Sequence, residues 1–207
     1  MFNGTEAAVH AVYHAASEQS LRMGSGFVGS EHLLLATAAA EGPTGAVLRA
    51  HGCIPDRIAA VIRDLAGLSA SVAADCATAG RMGINFDDLL QVDEIRARLQ
   101  PSPPAHRVLP LGWRRAQRRC AAASPPIAGD AQAACEAALW LALANWHQWL
   151  TDNHLGQVLL GWSRGSVFVA DRAGADRDAA LTALRSANPP RRRVRQGHLS
   201  RARTLAA

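Results

Sequence analysis

The stretch Gly29-Ser30-Glu31-His32-Leu33-Leu34-Leu35 constrains this chain more than any other. It reads as a helix start. Gly29 permits a turn, Ser30 is a good N-cap, and Glu31 places a carboxylate at the positive end of the helix dipole. The three leucines then carry the helix into a core. A related pattern, Thr151-Asp152-Asn153-His154-Leu155, returns 122 positions later. Two helix mouths, each marked by a histidine, predict two copies of one helical unit.

Composition supports that reading. The chain has 207 residues, of which 49% are apolar and 5% aromatic. Ala and Leu dominate, and β-branched runs are nearly absent, which favours an all-α protein with a real core. No uninterrupted apolar run reaches the ~18 residues a membrane span needs. Residues 131–150 come closest, but Gln132, Glu136, Asn145, His147 and Gln148 interrupt them. The N-terminus lacks a basic segment followed by an apolar run, so a cytoplasmic location is expected. Cys53, Cys76, Cys120 and Cys135 are scattered without a CxxC pair, as expected of reduced thiols acting as small hydrophobes.

All 22 basic residues are arginine. Without lysine, neither a P-loop nor Schiff-base catalysis is possible. Local spacing suggests no Ser-His-Asp constellation and no glycine-rich phosphate loop. The chain is therefore expected not to be an enzyme, and no cofactor is expected. His10 and His14 stand at i and i+4, a spacing that can grip a metal, but no third ligand lies near and no metal site is expected.

Along the chain, Asn3 or Thr5 can cap a first helix, with Glu6 in its opening turn. Val9, Val12, Tyr13, Ala16 and Ser20 form one helical face. A second helix runs from Glu31 to about Ala40, a third from Thr44 to His51 with Gly52 as its stop, and a fourth from Asp56 to Leu65. Then Arg81-Met82-Gly83-Ile84-Asn85-Phe86-Asp87 echoes Ala50-His51-Gly52-Cys53-Ile54-Pro55-Asp56, and a further helix carrying Leu89, Leu90 and Val92 is expected. Residues 101–126, rich in proline and arginine, read as a linker. The second unit begins near Pro126. Its helix, capped by Asp130, carries Ala131, Ala134, Cys135, Ala138, Ala142 and Trp146 inward and leaves Trp140 and Trp149 partly exposed. Helices from Asn153 to Leu160, Ser166 to Ala173 and Asp176 to Ala187 follow, with Gly174 matching the Gly52 stop. From Asn188 the chain is basic and poor in apolar residues, as expected of a disordered tail.

A four-helix unit used twice, with Gly-Ser-Glu-His-Leu-Leu-Leu at its second helix, resembles the Clp N-terminal domain, most closely that of ClpC-type unfoldases. The residues that carry the resemblance are Gly29–Leu35, Val47–Gly52 and Asp56–Leu65. In the second unit they are Pro126-Ile127, His147, Leu150, His154-Leu155 and Gly174. The extra half-repeat and basic linker are similar to single-domain Clp-N-type proteins of actinobacteria. The resemblance implies an all-α orthogonal bundle of two pseudo-twofold-related four-helix repeats. The expected organisation is repeat 1 at 1–66, half-repeat helix and linker at 67–125, a degenerate repeat 2 at 126–187, and a disordered basic tail at 188–207.

The resemblance also implies a function. The family's domain docks adaptors and substrates, and in the ClpC branch it binds phosphorylated arginine. Glu31 matches the family's pocket glutamate, with His32 beside it. The family's partner threonine falls on Glu6 without gaps, or on Thr5 with a one-residue slip. In the second repeat Asn153 and Ala128 replace the pair, so that pocket is expected to be lost. With no ATPase module, the expectation is a free-standing docking module for Clp substrates or adaptors that unfolds nothing itself. The rival expectation is a basic nucleic-acid-binding accessory protein, acting through the arginines of the linker and tail, which would give weak nonspecific attraction to polyanions.

Overall fold

A computed structural model describes residues 3–65, 67–82 and 125–189. The expected half-repeat motif from Gly83 onward, the helix after it, residues 101–124 of the linker and the tail from Pro190 lie outside the described residues. Two elements of two residues each, β1 (Gly4–Thr5) and β2 (Trp149–Leu150), accompany nine helices among the described residues: α1 (Ala7–Arg22), α2 (Ser30–Ala39), α3 (Pro43–Ala50), α4 (Pro55–Asp64), α5 (Ala70–Arg81), α6 (Gly129–Ala144), α7 (Asp152–Gly161), α8 (Arg164–Arg172) and α9 (Arg177–Ala187). The fold is all-α. Helices α1–α4 and α6–α9 repeat one order.

The two repeats are related by a pseudo-twofold axis, and the 122-residue offset runs through the contacts that join them. Thr5 pairs with Leu150 in a parallel register, and the equivalent residues pair in the reverse sense, Ile127 with Val28. The backbone N–H of Glu6 donates to the Leu150 carbonyl at 3.0 Å, and that of Ala128 donates to the Val28 carbonyl at 2.9 Å. Equivalent residues touch one another only at such an axis. Tyr13 Oη meets Cys135 Sγ at 2.6 Å, 122 residues away. Burial pushes the Cys135 thiol up to about 12 and raises the Tyr13 hydroxyl well above its usual value, so both groups are neutral. Gly52 and Gly174, both with positive φ (89° and 79°), also come together. A Cβ on Gly52 would stand 3.0 Å from the Gly174 carbonyl oxygen.

Between the repeats α2 packs on α7, α3 on α9 and α4 on α8. Leu33, Leu34, Leu155, Leu159 and Leu160 are fully buried and belong to one core built from both repeats. Helix α2 is buried from Ser30 to Thr37 on every side, which is why its sequence shows apolar residues all round rather than one stripe. Helix α5 packs against α8. The residues of α5 are small or polar with no apolar stripe, and the sequence carries no helix expectation here; the only expected helix of this segment follows Asp87.

Helix starts differ in detail from the sequence reading. Gly29, not Ser30, is the N-cap of α2. Glu6 is the N-cap of α1 rather than a first-turn residue, and Thr5 lies in β1. Ala128, not Asp130, is the N-cap of α6. In each case a strand-like backbone bond at the repeat interface fixes the entry of the helix, so a side-chain cap is not what sets the boundary. The expected exposure of two tryptophans holds, Trp140 at 69% and Trp149 at 42%, but Trp146, expected to face inward, is 55% exposed because α6 ends at Ala144 and Trp146 sits beyond it with φ 58°.

Candidate functional site

Both helix mouths are closed by a histidine three residues into the helix. At the first mouth the Gly29 backbone N–H donates to His32 Nδ1 at 3.1 Å, and at the second the Thr151 N–H donates to His154 Nδ1 at 3.1 Å. This is the return half of a capping box, with imidazole in the place usually held by a carboxylate or amide. Because Nδ1 accepts, each ring carries its proton on Nε2. His32 Nε2 is 3.1 Å from Ser25 Oγ, and His154 Nε2 is 2.6 Å from His147 Nδ1. Ser25 and His147 are again equivalent positions. Burial pushes His32 down to about 4 against the opposing pull of Asp130. Burial, then the neighbouring His147, does the same to His154, also to about 4. Both rings are neutral at pH 7, and both nitrogens of His32 hold the preceding loop.

The residue before each histidine distinguishes the mouths. Glu31 is 1% exposed. Its carboxyl folds back over the helix start, so a Cβ at Gly29 would lie 2.3 Å from Glu31 Oε1. Gly29 has φ −91°, a conformation open to any residue, so glycine is required here for space rather than for its backbone freedom. Glu31 Oε2 has no hydrogen-bond partner among the described residues. Oε1 lies 3.5 Å from His32 Nδ1, but that nitrogen belongs to a neutral ring, so this contact is not an ion pair.

Asp130 completes the site from the other repeat. Ser30 Oγ donates to Asp130 Oδ2 at 2.7 Å, and the Ser166 N–H on α8 donates to Ser30 Oγ at 3.1 Å. Two acids from two repeats thus meet at one corner, Glu31 buried and Asp130 half-buried. Burial first, and the Asp130 charge second, lift the Glu31 carboxyl to about 8, while the backbone N–H groups of Glu31 and Ala70 draw it part of the way back by hydrogen bonding. A buried acid with an unpaired oxygen beside a second acid is poised to accept a multi-donor cation, or else to hold a proton.

At the second mouth Asn153 stands in the glutamate position and is fully engaged. Its Nδ2 donates to the Leu184 carbonyl at 3.1 Å, and Gln157 Nε2 donates to its Oδ1 at 2.7 Å. His147 Nε2 reaches the Pro189 carbonyl at 3.0 Å, tying the chain after α9 across this mouth.

The other expected residues fall elsewhere. Glu6 is exposed and Thr5 half-buried, and among the described residues no hydrogen bond or ion pair joins either side chain to Glu31. The second acid is Asp130, which the sequence reading treated only as a cap. Its counterpart in the first repeat is Ala8, so alignment of the repeats carries no signal for it. His10 and His14 are exposed, and among the described residues no group of three metal-ligating side chains assembles. Among the described residues no helix is long and apolar enough to cross a membrane.

No protein-family model matches the chain, and no curated protein sequence does. Its fold does match a solved structure, the N-terminal domain of the caseinolytic protease associated chaperone ClpD from Arabidopsis thaliana. The TM-score is 0.51 at 14% identity, over 88% of this chain and 93% of that one. At that identity the likeness is one of fold. The chain has the architecture of a Clp N-terminal domain.

Proposed function

We propose that the chain is a non-catalytic protein-interaction module of the Clp protease system. It docks adaptors or substrates in the cytoplasm through an arginine side chain received at the Glu31 mouth. One observation carries this reading: a carboxyl buried to 1% exposure, with one oxygen unpaired, beside a second acid. A guanidinium offers five N–H donors in a fixed fork and can satisfy both acids at once. The Clp N-terminal fold supports the reading because the structural neighbour is, by its name, the N-terminal domain of a protease-associated chaperone. A phosphorylated arginine brings negative charge toward Asp130, so unmodified arginine is the better ligand. The absence of lysine rules out a P-loop and agrees with a module that hydrolyses no nucleotide. The nucleic-acid reading rests on the arginines of the linker and tail, all of which lie outside the described residues.

The test is calorimetry with three short peptides of one sequence, carrying arginine, phosphoarginine or citrulline at the centre. Arginine should bind best, and Glu31→Gln should weaken it by roughly tenfold or more, the loss expected for a charge-assisted hydrogen bond. Equal binding of arginine and citrulline, the neutral isostere, would exclude a guanidinium site.

A further inference from the structure

Helix α5 stands directly over the two acids. Its first two residues, Ala70 and Ser71, carry backbone N–H groups without intrahelical partners. The Ala70 N–H faces the Glu31 carboxyl closely enough to draw its pKa down. Ser71 N lies beside Asp130: a Cβ placed on Gly165 would be 2.9 Å from Ser71 N, 3.0 Å from Asp130 Oδ2 and 2.8 Å from Ser30 Oγ. Gly165 on α8 is therefore the residue that lets this corner close. The start of a 12-residue helix presents N–H donors and a partial positive charge to the pair, the same chemistry a guanidinium presents.

We propose that α5 is a displaceable lid whose N-terminus stands where an arginine side chain docks. This rests on the reading of Glu31 as a guanidinium site. Three features support displacement. The lid leaves Glu31 Oε2 unpaired, so it satisfies the site less completely than a five-donor fork. It offers roughly half an elementary charge where arginine offers a full one. And α5 packs chiefly on one neighbour, α8: of its residues only Ala70 and Ala79 are fully buried, and its ion pair to α8, Asp75 with Arg164 at 3.1 Å, is exposed. Because Asp130 comes from the second repeat, the lid closes a site that belongs to both.

Two variants loosen the lid without removing an acid. Ala70→Pro deletes the N–H that reaches Glu31 while suiting the first helical position, since Ser69 already has φ −68° and ψ 144°. Asp75→Arg lies away from that corner and sets like charges against Arg164, so it keeps the test valid if proline cannot be packed. Each should tighten binding of the arginine peptide about threefold to tenfold by raising the open fraction. In the native chain a saturating arginine peptide should speed hydrogen exchange of the α5 amides, and the citrulline peptide should not. Glu31-dependent binding with α5 exchange and both variant affinities unchanged would overturn the lid and leave the docking site standing. No arginine binding by the native chain or by either variant would overturn both.

Discussion

The two helix mouths share one backbone and one histidine, yet they are finished differently. At the first, Glu31 keeps an unpaired oxygen beside Asp130 under the start of α5. At the second, Asn153 is satisfied by Leu184 and Gln157, and Pro189 accepts from His147. The outer faces diverge in parallel. Where α1 shows Glu18 paired with Arg22, the equivalent positions of α6 are Trp140 and Ala144. The two repeats share what closes the core and differ in what lies around each mouth. A mouth held by neutral hydrogen bonds is locked, and a mouth holding an unpaired acid is left able to take something up.

The largest effects should be shared by the two repeats. Leu33 and Leu155 are equivalent and fully buried. Leu33→Ala and Leu155→Ala should each cost about 3 kcal/mol, within roughly 1 kcal/mol of each other, in a single denaturation transition. Two separate transitions would mean the repeats do not share a core.

The next effects separate the mouths. Asn153→Asp sets a carboxylate against the Leu184 carbonyl and should cost about 3 kcal/mol at neutral pH. Glu31→Gln keeps an acceptor for the Ala70 N–H and removes an acid with a raised pKa. Between 4.5 and about 8 the folded chain holds a proton at Glu31 that the unfolded chain has released. That contribution favours folding at low pH and is lost as pH rises through 8. His32 and His154, neutral when folded, work in the opposite sense: their contribution is present above 6.5 and lost as pH falls through about 4. Stability should therefore peak near pH 6.5. Glu31→Gln should abolish the alkaline decline, worth a few kcal/mol, and leave the acid limb in place. An unchanged alkaline limb in a urea-denaturation pH series would show that Glu31 is ionised in the folded chain.

Smaller effects test the axis. Gly52→Ala and Gly174→Ala both place a Cβ on a left-handed backbone, worth about 1–2 kcal/mol. At Gly52 the Cβ also meets the Gly174 carbonyl and Ala175 Cα at 3.0 and 3.1 Å, while at Gly174 it meets nothing within 4 Å. Gly52→Ala should be the more damaging by about 1 kcal/mol. Equal costs would deny the close approach at the axis.

The fold was legible because its signals are local and repeated. His32 and His154 mark equivalent helix starts, Gly52 and Gly174 equivalent stops, and the apolar spacing of α1 and α4 needs no tertiary knowledge. The site was legible only in half. Glu31 shows itself in a motif, but Asp130 reaches it across 100 residues by way of Ser30. No spacing rule encodes that meeting, since Ala8 occupies the matching place. Helix α5 was missed for a related reason: its residues are small and polar, and its position comes from α8 and from the acids under its first turn rather than from an apolar stripe of its own.

The central claim is that the first mouth holds a buried acid ready for a cation. A site-resolved carbon NMR titration of the Glu31 side-chain carboxyl tests it directly. In the free chain it should titrate near 8, and saturation with the arginine peptide should lower that by at least about one unit, because the bound guanidinium favours the carboxylate. A titration at the ordinary carboxylate value of 4.5, unmoved by the peptide, would contradict the account.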